Sequence, residues 1–246
     1  MSRRSIVISS LLLLFVWELA ALAANTSVLP RASAVIIALG RGLVGSLGWH
    51  LLVSSWRVLA SIVLTAVIAT PAGLLIGQNE VWNRRLSAII YLTYPIPKVV
   101  LLPIIMLFLG IGDASKIFLL WLILFYQVLL VVRDASAAVH PDLVRSVTSL
   151  GSSDWQLVRF VYFPACLPAI LTGLRVSTGT AIAVLFLAES IATSSGLGYY
   201  IMVEGWGRMD YTAMYAGVVA MSLLGLAIYG VLDRLEHWAC PWAGAR

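Results

Sequence analysis

Long stretches without a charged residue constrain this chain more than any other feature of its sequence. The two longest run from 58 to 79 and from 211 to 232, and shorter ones cover 5–17, 99–112 and 117–132. A helix that crosses a bilayer needs about 20 mostly apolar residues. Only 11% of the residues are charged and 61% are hydrophobic, against about 25% charged in an ordinary soluble domain. The sequence therefore predicts a membrane protein with several spans, and it excludes a soluble globule, a disordered tail and a nucleic-acid-binding domain.

The apolar segments predict an all-α membrane protein with six transmembrane helices. Helices are expected because a backbone in contact with lipid must satisfy its own hydrogen bonds, and the strict alternation of barrel strands is absent from the sequence. The fourth segment is short and lies at the lower limit for a span. The predicted spans cover residues 6–24, 51–77, 87–109, 116–132, 166–192 and 212–232.

The distribution of Lys and Arg predicts that both termini lie in the cytoplasm. In this orientation nine basic residues outside the spans face the cytoplasm and four face the opposite side, as the positive-inside rule requires. The nine are Arg3, Arg4, Arg84, Arg85, Arg133, Arg145, Arg159, Arg234 and Arg246. The four are Arg31, Arg41, Lys116 and Arg208.

The first apolar segment has two interpretations. Arg3-Arg4, the apolar run that ends at Trp17 and the small residues at 21–24 resemble a secretory signal peptide with its cleavage site. The apolar character continues beyond Trp17, however, and only Glu18 interrupts it, which favours a retained first span. Both interpretations give the same orientation for the other five spans.

The loop from 133 to 162 is the least membrane-like part of the chain. His140-Pro141-Asp142 favours a helix start, and Gly151 is suited to end that helix. Ser152-Ser153 can cap a second helix from Asp154, on which Trp155, Val158 and Tyr162 have helical spacing along one face. Pro164 and Pro168 then lead into the fifth span. The residues alone predict either a helix pair that lies on the lipid or a docking site for a soluble partner.

The spacing within this loop resembles the cytoplasmic signature of permeases from binding-protein-dependent ABC importers. That signature begins with Glu-Ala-Ala, which three residues separate from a Gly. Nine further residues separate this Gly from a final Ile, any residue and Leu-Pro. The corresponding positions here are Arg145, Ser146, Val147, Gly151, Val161, Phe163 and Pro164. The opening triad departs from the family because a base stands where the family has an acid. The departure affects the acidic contact to the ATPase rather than the helix that carries it.

Further motifs resemble the nitrate, sulfonate and taurine branch of that family. They lie at 54–57, 95–103, 110–116 and 188–199, in the order that the branch requires. The whole resemblance covers about residues 45–235.

The resemblance implies the transmembrane subunit of an ATP-driven importer with the type I fold. A permease homodimer would form the pathway, two cytoplasmic ATPases would drive it, and a periplasmic binding protein would deliver a small anion such as a sulfonate, taurine or nitrate. The chain would not be an enzyme and would hold no cofactor, because ATP and Mg²⁺ would bind to the partner ATPase. Its sequence accordingly contains no phosphate-binding Gly-x-x-x-x-Gly-Lys-Ser/Thr loop. The implied domains are a first span with a periplasmic connection (1–50), a core permease domain (51–235) and a cytoplasmic tail (236–246).

The helix pair in the loop is expected to couple the ATPase to transport. If it sits in a groove of the ATPase, closure of the ATPase would move it as a rigid lever and shift the spans attached to it. Packing would carry this coupling. The candidate contact residues are Asp142, Arg145, Ser146, Val147, Gly151, Trp155 and Pro164.

Polar residues and prolines within the spans indicate a translocation pathway or gate. Charges at membrane depth are costly and usually face a cavity or a partner, and three prolines cannot sit in one uninterrupted helix. Lys98 either meets an anionic substrate, or snorkels or pairs with a buried acid. Glu189 either pairs with Arg57 or Lys98 or helps to gate the outer mouth. We expect Arg57 to snorkel to the outer surface. The full candidate set is Arg57, Pro97, Lys98, Pro103, Glu189, Gly196 and Gly198.

Two other functions fit the sequence less well. A secondary transporter or channel would be expected to show internal symmetry between its halves, and it would have no use for the loop. An intramembrane serine enzyme would need a base near Ser194-Ser195, but every histidine lies at or beyond the end of a predicted span. Two distant cysteines provide neither a disulfide framework nor a thiolate metal site.

Overall fold

A computed structural model describes residues 3–243, and all the regular secondary structure among them is helical. Arg246, one of the nine residues in the orientation argument, lies outside the described residues. The α-helices are α1 (Arg3–Ala24), α2 (Ala32–Leu43), α3 (Ser46–Gln78), α4 (Glu80–Thr93), α5 (Leu102–Leu109), α6 (Asp113–Ala137), α7 (Pro141–Thr148), α8 (Asp154–Leu157), α9 (Phe163–Ser190), α10 (Leu197–Tyr199) and α11 (Tyr211–Ala239). Tighter 3₁₀ turns cover Lys98–Leu101 and Trp206–Arg208, and wider π turns cover Val158–Tyr162 and Tyr200–Gly205.

The described residues contain five helical segments long and apolar enough to cross a membrane, and a bent pair makes a sixth. The bent pair joins Glu80–Thr93 to Lys98–Leu109 at 74°. The all-helical fold is confirmed, and the number of spans equals the predicted six when the bent pair is counted as one span, broken where the prolines of the third segment required. Pro95 and Pro97 lie between the two arms, where they interrupt no helical hydrogen bond.

The fourth and fifth spans extend well beyond their predicted bounds. The fourth span is a helix of 25 residues, Asp113–Ala137, which continues past Arg133 and Asp134; the two side chains form an ion pair at 2.7 Å. The fifth span is continuous from Asp154 to Ser190, so Pro164, which precedes the predicted span, lies within the observed one. The π turn just before Pro164, where the Phe163 N–H donates to the Val158 carbonyl, replaces the α-helical pattern beside the proline that lacks an N–H.

The chain forms two compact units. The first comprises Met1–Ser55 and Phe186–Leu224. Within it, α1 and α2 are joined by Glu18, whose carboxylate accepts hydrogen bonds from the N–H and the hydroxyl of Ser33, both at 3.0 Å. Helix α2 is an element that the sequence argument did not predict.

The second unit comprises Trp56–Leu185 and Gly225–Arg246. In it, α3 packs closely on α6 through the Gly-x-x-x-Gly motif at 73–77. A Cβ atom on Gly73 would lie 2.8 Å from the Val132 Cβ, and one on Gly77 would lie 2.3 Å from the Arg133 carbonyl oxygen. The motif thus acts as a close helix-packing site, as small residues do in membrane helices.

Candidate functional site

The helix pair α7–α8 begins at the residues that its sequence predicts, and a side chain caps each helix. The His140 Nδ1 accepts a hydrogen bond from the Asp142 N–H at 3.3 Å at the start of α7. The Ser153 side chain caps α8, and the Gln156 side chain reciprocates by accepting from the Ser153 N–H at 2.8 Å. Between them Gly151 has φ +81°, a left-handed conformation that glycine adopts without strain. The turn between the two helices therefore depends on glycine at this position.

The pair presents a mixed apolar and charged surface. Leu150 is 85% exposed and Trp155 is 68% exposed, although apolar side chains of this size gain free energy when buried. Arg145 and Asp142 are also exposed and form an ion pair at 3.4 Å. This surface has the composition of an interface with another protein, an aromatic anchor beside charged groups.

The remaining candidates for coupling to the ATPase differ in how exposed they are. Ser146 is exposed, and its hydroxyl donates to the Asp142 carbonyl at 2.7 Å. Val147 and Pro164 are half-buried. The expected shared face of Trp155, Val158 and Tyr162 is wrong, because the π turn rotates the helix between them: Tyr162 is only 9% exposed.

The break in the third span is closed by Lys98. Its ammonium group donates to the carbonyl oxygens of Thr93 and Tyr94 at 3.2 and 3.0 Å, and it lies 4.2 Å from the centre of the Tyr126 ring. These contacts stabilise the C-terminal end of α4, where free carbonyl groups carry partial negative charge. Lys98 thus has a structural role, whereas its contact with substrate stays a prediction.

The two prolines predicted to shape this region both lie where a missing N–H costs nothing. Pro97 directly precedes the 3₁₀ turn, and Pro103 lies in the first turn of α5. A cavity of about 310 Å³ adjoins the break, and its walls include Tyr94, Pro95 and Arg133. Arg133 thus lines the cavity, and Lys98 holds the carbonyl oxygen of Tyr94, another of its lining residues.

Arg57 does not snorkel, so that expectation is wrong. Its side chain is 2% exposed and donates from Nε and Nη2 to the Asp113 carboxylate at 2.9 and 2.6 Å. Asp113 starts α6, and its acidic group also favours the positive end of that helix. Lys116, expected in an outer loop, is buried as well, and its ammonium donates to the carbonyl oxygens of Ile111 and Gly112.

Glu189, Gly196 and Gly198 come together within the first unit. The fully buried Glu189 carboxylate accepts hydrogen bonds from the Ser54 hydroxyl at 2.8 Å and from the Gly198 N–H at 3.0 Å. Gly196 has φ +111°, and a Cβ atom there would lie 2.3 Å from the carboxyl carbon of Glu189. Only glycine fits at this close approach between the carboxylate and the segment that follows the fifth span.

Two further residues hold this segment, and the sequence argument did not assign them to the site. His50 Nδ1 accepts from the Gly196 N–H at 3.0 Å, and the Ser54 hydroxyl accepts from the Leu197 N–H at 2.7 Å. The signal was present, since polar residues four apart on a helix share a face. Burial raises the pKa of the nearby Tyr200 phenol, and the carboxylates of Glu204 and Asp210 add to that effect.

The chain is similar to known transport proteins over most of its length. Residues 69–239 match the family model described as binding-protein-dependent transport system inner membrane component. The taurine transport system permease protein TauC of Escherichia coli (strain K12) is 32% identical over 79% of this chain and 70% of its own length. The putative aliphatic sulfonates transport permease protein SsuC of the same strain is 30% identical over 92% of this chain and 87% of its own length.

A solved structure has the same fold. It is titled as an inward-facing conformation of the MetNI methionine ABC transporter and superposes with a TM-score of 0.64 at 21% identity, covering 79% of this chain and 96% of the matched chain. Permeases of this family work with an ATPase and a substrate-binding protein, have no catalytic activity and hold no cofactor. The chain therefore belongs to the binding-protein-dependent transport system inner membrane component family, as a multi-pass permease subunit of an ABC importer.

Proposed function

We propose that this permease imports a small sulfonate, with taurine as the type of substrate, from the periplasm to the cytoplasm. The observation that carries the proposal is the similarity, at 32% and 30% identity, to permeases named for taurine and for aliphatic sulfonates. The cavity lined by Arg133 beside the broken span supports it, because a cationic side chain in the wall of a cavity favours an anionic group on the solute. Nitrate is the other anion considered for this branch.

The proposed complex contains two copies of this permease, two ATPase subunits and one binding protein. Both termini lie in the cytoplasm in this proposal, so that α7 and α8 face the ATPase. The exposed Trp155, Leu150 and Arg145 would contact it. Arg145 would meet a partner group different from the one that meets the family's acidic residue, because the charge is reversed.

In the same proposal Glu189 acts as part of a gate at the periplasmic mouth. Its carboxylate holds the Gly196–Gly198 segment to α3 through Ser54. Opening the mouth would exchange these hydrogen bonds for contacts with water or with the substrate. Replacing Glu189 with Gln preserves the size of the side chain but removes its charge, and we expect this change to slow transport without preventing insertion.

The ligand of the partner binding protein provides the test of the substrate. The purified binding protein is titrated with taurine, a linear alkanesulfonate, nitrate and methionine by isothermal calorimetry, and its bound ligand is identified by native mass spectrometry. The proposal expects tight binding of taurine or the alkanesulfonate and no heat with methionine. Tight binding of methionine or nitrate alone would contradict the assignment while leaving the importer role intact.

A further inference from the structure

Three consecutive backbone N–H groups, at 196–198, are held by buried side chains within the first unit. Each of them donates to a different kind of acceptor: the imidazole of His50, the hydroxyl of Ser54 and the carboxylate of Glu189. All three acceptors are buried. N–H groups at the start of a helix have no partner within that helix. These side chains therefore hold residues 191–198, which we call the strap, to α3 and to the end of α9.

The backbone of the strap is strained at one residue. Ala192 has φ +45°, a left-handed conformation that is unfavourable for a residue with a Cβ atom. Residues 191–196 are irregular in conformation, so no helical hydrogen bonds fix this part of the strap. Its attachment therefore depends on the side chains that accept its N–H groups.

His50 is an acceptor whose hydrogen bonding changes when it takes up a proton. Because the Gly196 N–H donates to Nδ1 at 3.0 Å, this nitrogen carries no hydrogen in the observed arrangement, and the neutral ring has its hydrogen on Nε2. A histidine ring commonly changes its charge between about pH 5 and 8. A proton added to Nδ1 turns the acceptor into a donor, so that two N–H groups face each other. The buried Gly196 N–H then loses its partner, which is unfavourable.

The groups around the ring include a carboxylate that would stabilise its charged form. His50 Nε2 lies 3.5 Å from the Glu204 carboxylate, and opposite charges attract strongly at this distance. The other titratable groups near the ring are the phenols of Tyr199 and Tyr200, whose ring centres lie 5.6 and 5.7 Å from that of the imidazole, and the carboxylate of Glu189 across Gly196. The hydrogen bond from Gly196 thus opposes protonation of the ring, and Glu204 favours it.

We propose that His50 is a pH-sensitive switch that holds the strap when neutral and releases it when protonated. Protonated His50 keeps its pairing with Glu204 and loses its bond to Gly196. Because proton binding and release of the strap are linked, acid favours release by at most about tenfold per pH unit for one proton. The effect of this switch on transport rests on the gate proposed above. Its test uses neither substrate nor binding protein, so a failure of the switch is distinguishable from a failure of the proposed function.

Hydrogen–deuterium exchange of the full permease, purified with its ATPase, tests the switch. Exchange is followed by mass spectrometry in peptides that cover 191–199 between pH 8 and pH 5. Parent protein and variant are compared at the same pH, so that the chemical exchange rate cancels. The main variant is His50→Asn, because its side-chain oxygen lies as many bonds from Cα as Nδ1 does and accepts a hydrogen bond without titrating. The two proteins should exchange equally at pH 8, and the parent should become faster as the pH falls, by up to about tenfold per pH unit.

Further measurements separate the switch from a general effect of acid. Glu204→Gln removes the carboxylate that stabilises the charged ring, so release of the strap should require a lower pH. His237→Asn, which replaces an exposed histidine near the end of α11, should keep the pH dependence of the parent. In protein labelled with ¹⁵N-histidine, the nuclear magnetic resonance signals that His50→Asn lacks should change from neutral to protonated over the pH range in which exchange changes. The parent protein and Glu204→Gln test the switch even where His50→Asn fails to fold.

Several outcomes would overturn the proposal. A ratio of parent to His50→Asn exchange rates that stays constant from pH 8 to pH 5 would show that His50 does not control the strap. Resonance signals of His50 that remain those of a neutral ring at pH 5 would show that it takes up no proton there. Loss of the pH dependence in His237→Asn would show that the effect arises elsewhere, and a release pH that Glu204→Gln leaves unchanged would contradict the role of Glu204.

Discussion

The turn at Gly151 provides the sharpest test of coupling through the helix pair. The residue has φ +81°, and a Cβ atom built on it meets nothing within 4 Å. The Cβ of a replacing side chain therefore has open space, and the cost that can be worked out is that of the backbone conformation. A strained conformation of this kind costs about 1–3 kcal/mol, and a β-branched side chain in the left-handed region is a clear outlier.

That cost changes the equilibrium between the native turn and its alternatives by roughly 5- to 150-fold, since 1–3 kcal/mol corresponds to those factors. Because the turn fixes the direction of α7 relative to α8, with which the continuous fifth span begins, a changed turn alters the orientation of α7. We expect Gly151→Val to retain ATPase activity in the purified complex while uptake into proteoliposomes falls, so that more ATP is hydrolysed per molecule transported. Gly151→Asn should transport nearly normally, because asparagine tolerates the left-handed region.

Gly110 supplies the matched control. It has φ +78° and also meets nothing within 4 Å, but it lies between α5 and α6, away from the helix pair. Gly110→Val should lower the unfolding temperature about as much as Gly151→Val without changing the ratio of ATP hydrolysed to substrate transported. If Gly151→Val transports like the parent protein, or if Gly110→Val uncouples to the same extent, the lever interpretation is wrong.

Three further predictions concern packing and thiol chemistry. Gly77→Ala should destabilise the solubilised protein by about 1–3 kcal/mol, since the added Cβ would lie 2.3 Å from a backbone oxygen. The control Gly230→Ala, whose Cβ meets nothing within 4 Å, should be neutral or slightly stabilising. Equal unfolding temperatures for the two variants would contradict the close packing at Gly77. Gly198→Ala should destabilise by a similar amount, because its Cβ would lie 2.7 Å from another backbone oxygen, as thermal unfolding followed by size-exclusion chromatography would show. Burial and the neighbouring Glu236 raise the pKa of the Cys240 thiol. Maleimide labelling of Cys240 in the folded protein should therefore be slow near pH 7, become faster as the pH rises because the thiolate reacts, and be faster in Glu236→Gln. A labelling rate that does not change with that substitution would contradict the electrostatic contribution of Glu236.

Much of the fold could be predicted because its determinants are local in sequence. Stretches without charge identify the spans, and caps such as His140 and Ser153 act on N–H groups two or three residues away. Gly151 adopts the left-handed conformation that its place after α7 suggested. In each case the interacting groups are close in the chain, so their spacing alone carries the information.

The incorrect expectations involve partners that are distant in sequence or departures from regular helical spacing. Arg57 is buried because Asp113, 56 residues away, accepts its hydrogen bonds, and no local pattern indicates that pairing. The π turn before Pro164 changes the helical register, so a face drawn with regular spacing put Trp155 and Tyr162 together. Helix α2 was not predicted because it has only 12 residues, which are too few to cross a membrane.

The sequence identified several residues of the candidate site but not the hydrogen bonds between them. Glu189, Gly196 and Gly198 do meet, but the hydrogen bonds from Ser54 and to His50 complete the arrangement. Lys98 was expected to meet an anionic substrate, to snorkel or to pair with a buried acid, whereas the structure gives it backbone carbonyl partners at the end of α4. The sequence alone does not distinguish a lysine that donates hydrogen bonds to the carbonyl groups at a helix end from a lysine that is free to bind an anion.

The most direct test of the central claim is ATP-dependent uptake in a reconstituted system. Proteoliposomes contain this permease with its ATPase, the binding protein and radiolabelled ligand are added outside, and ATP is enclosed in the lumen or omitted. The account predicts that uptake requires ATP, the ATPase and the binding protein together and falls to background when any one is left out. Undiminished uptake by the permease alone, without ATP, would contradict it and would identify a secondary transporter or channel.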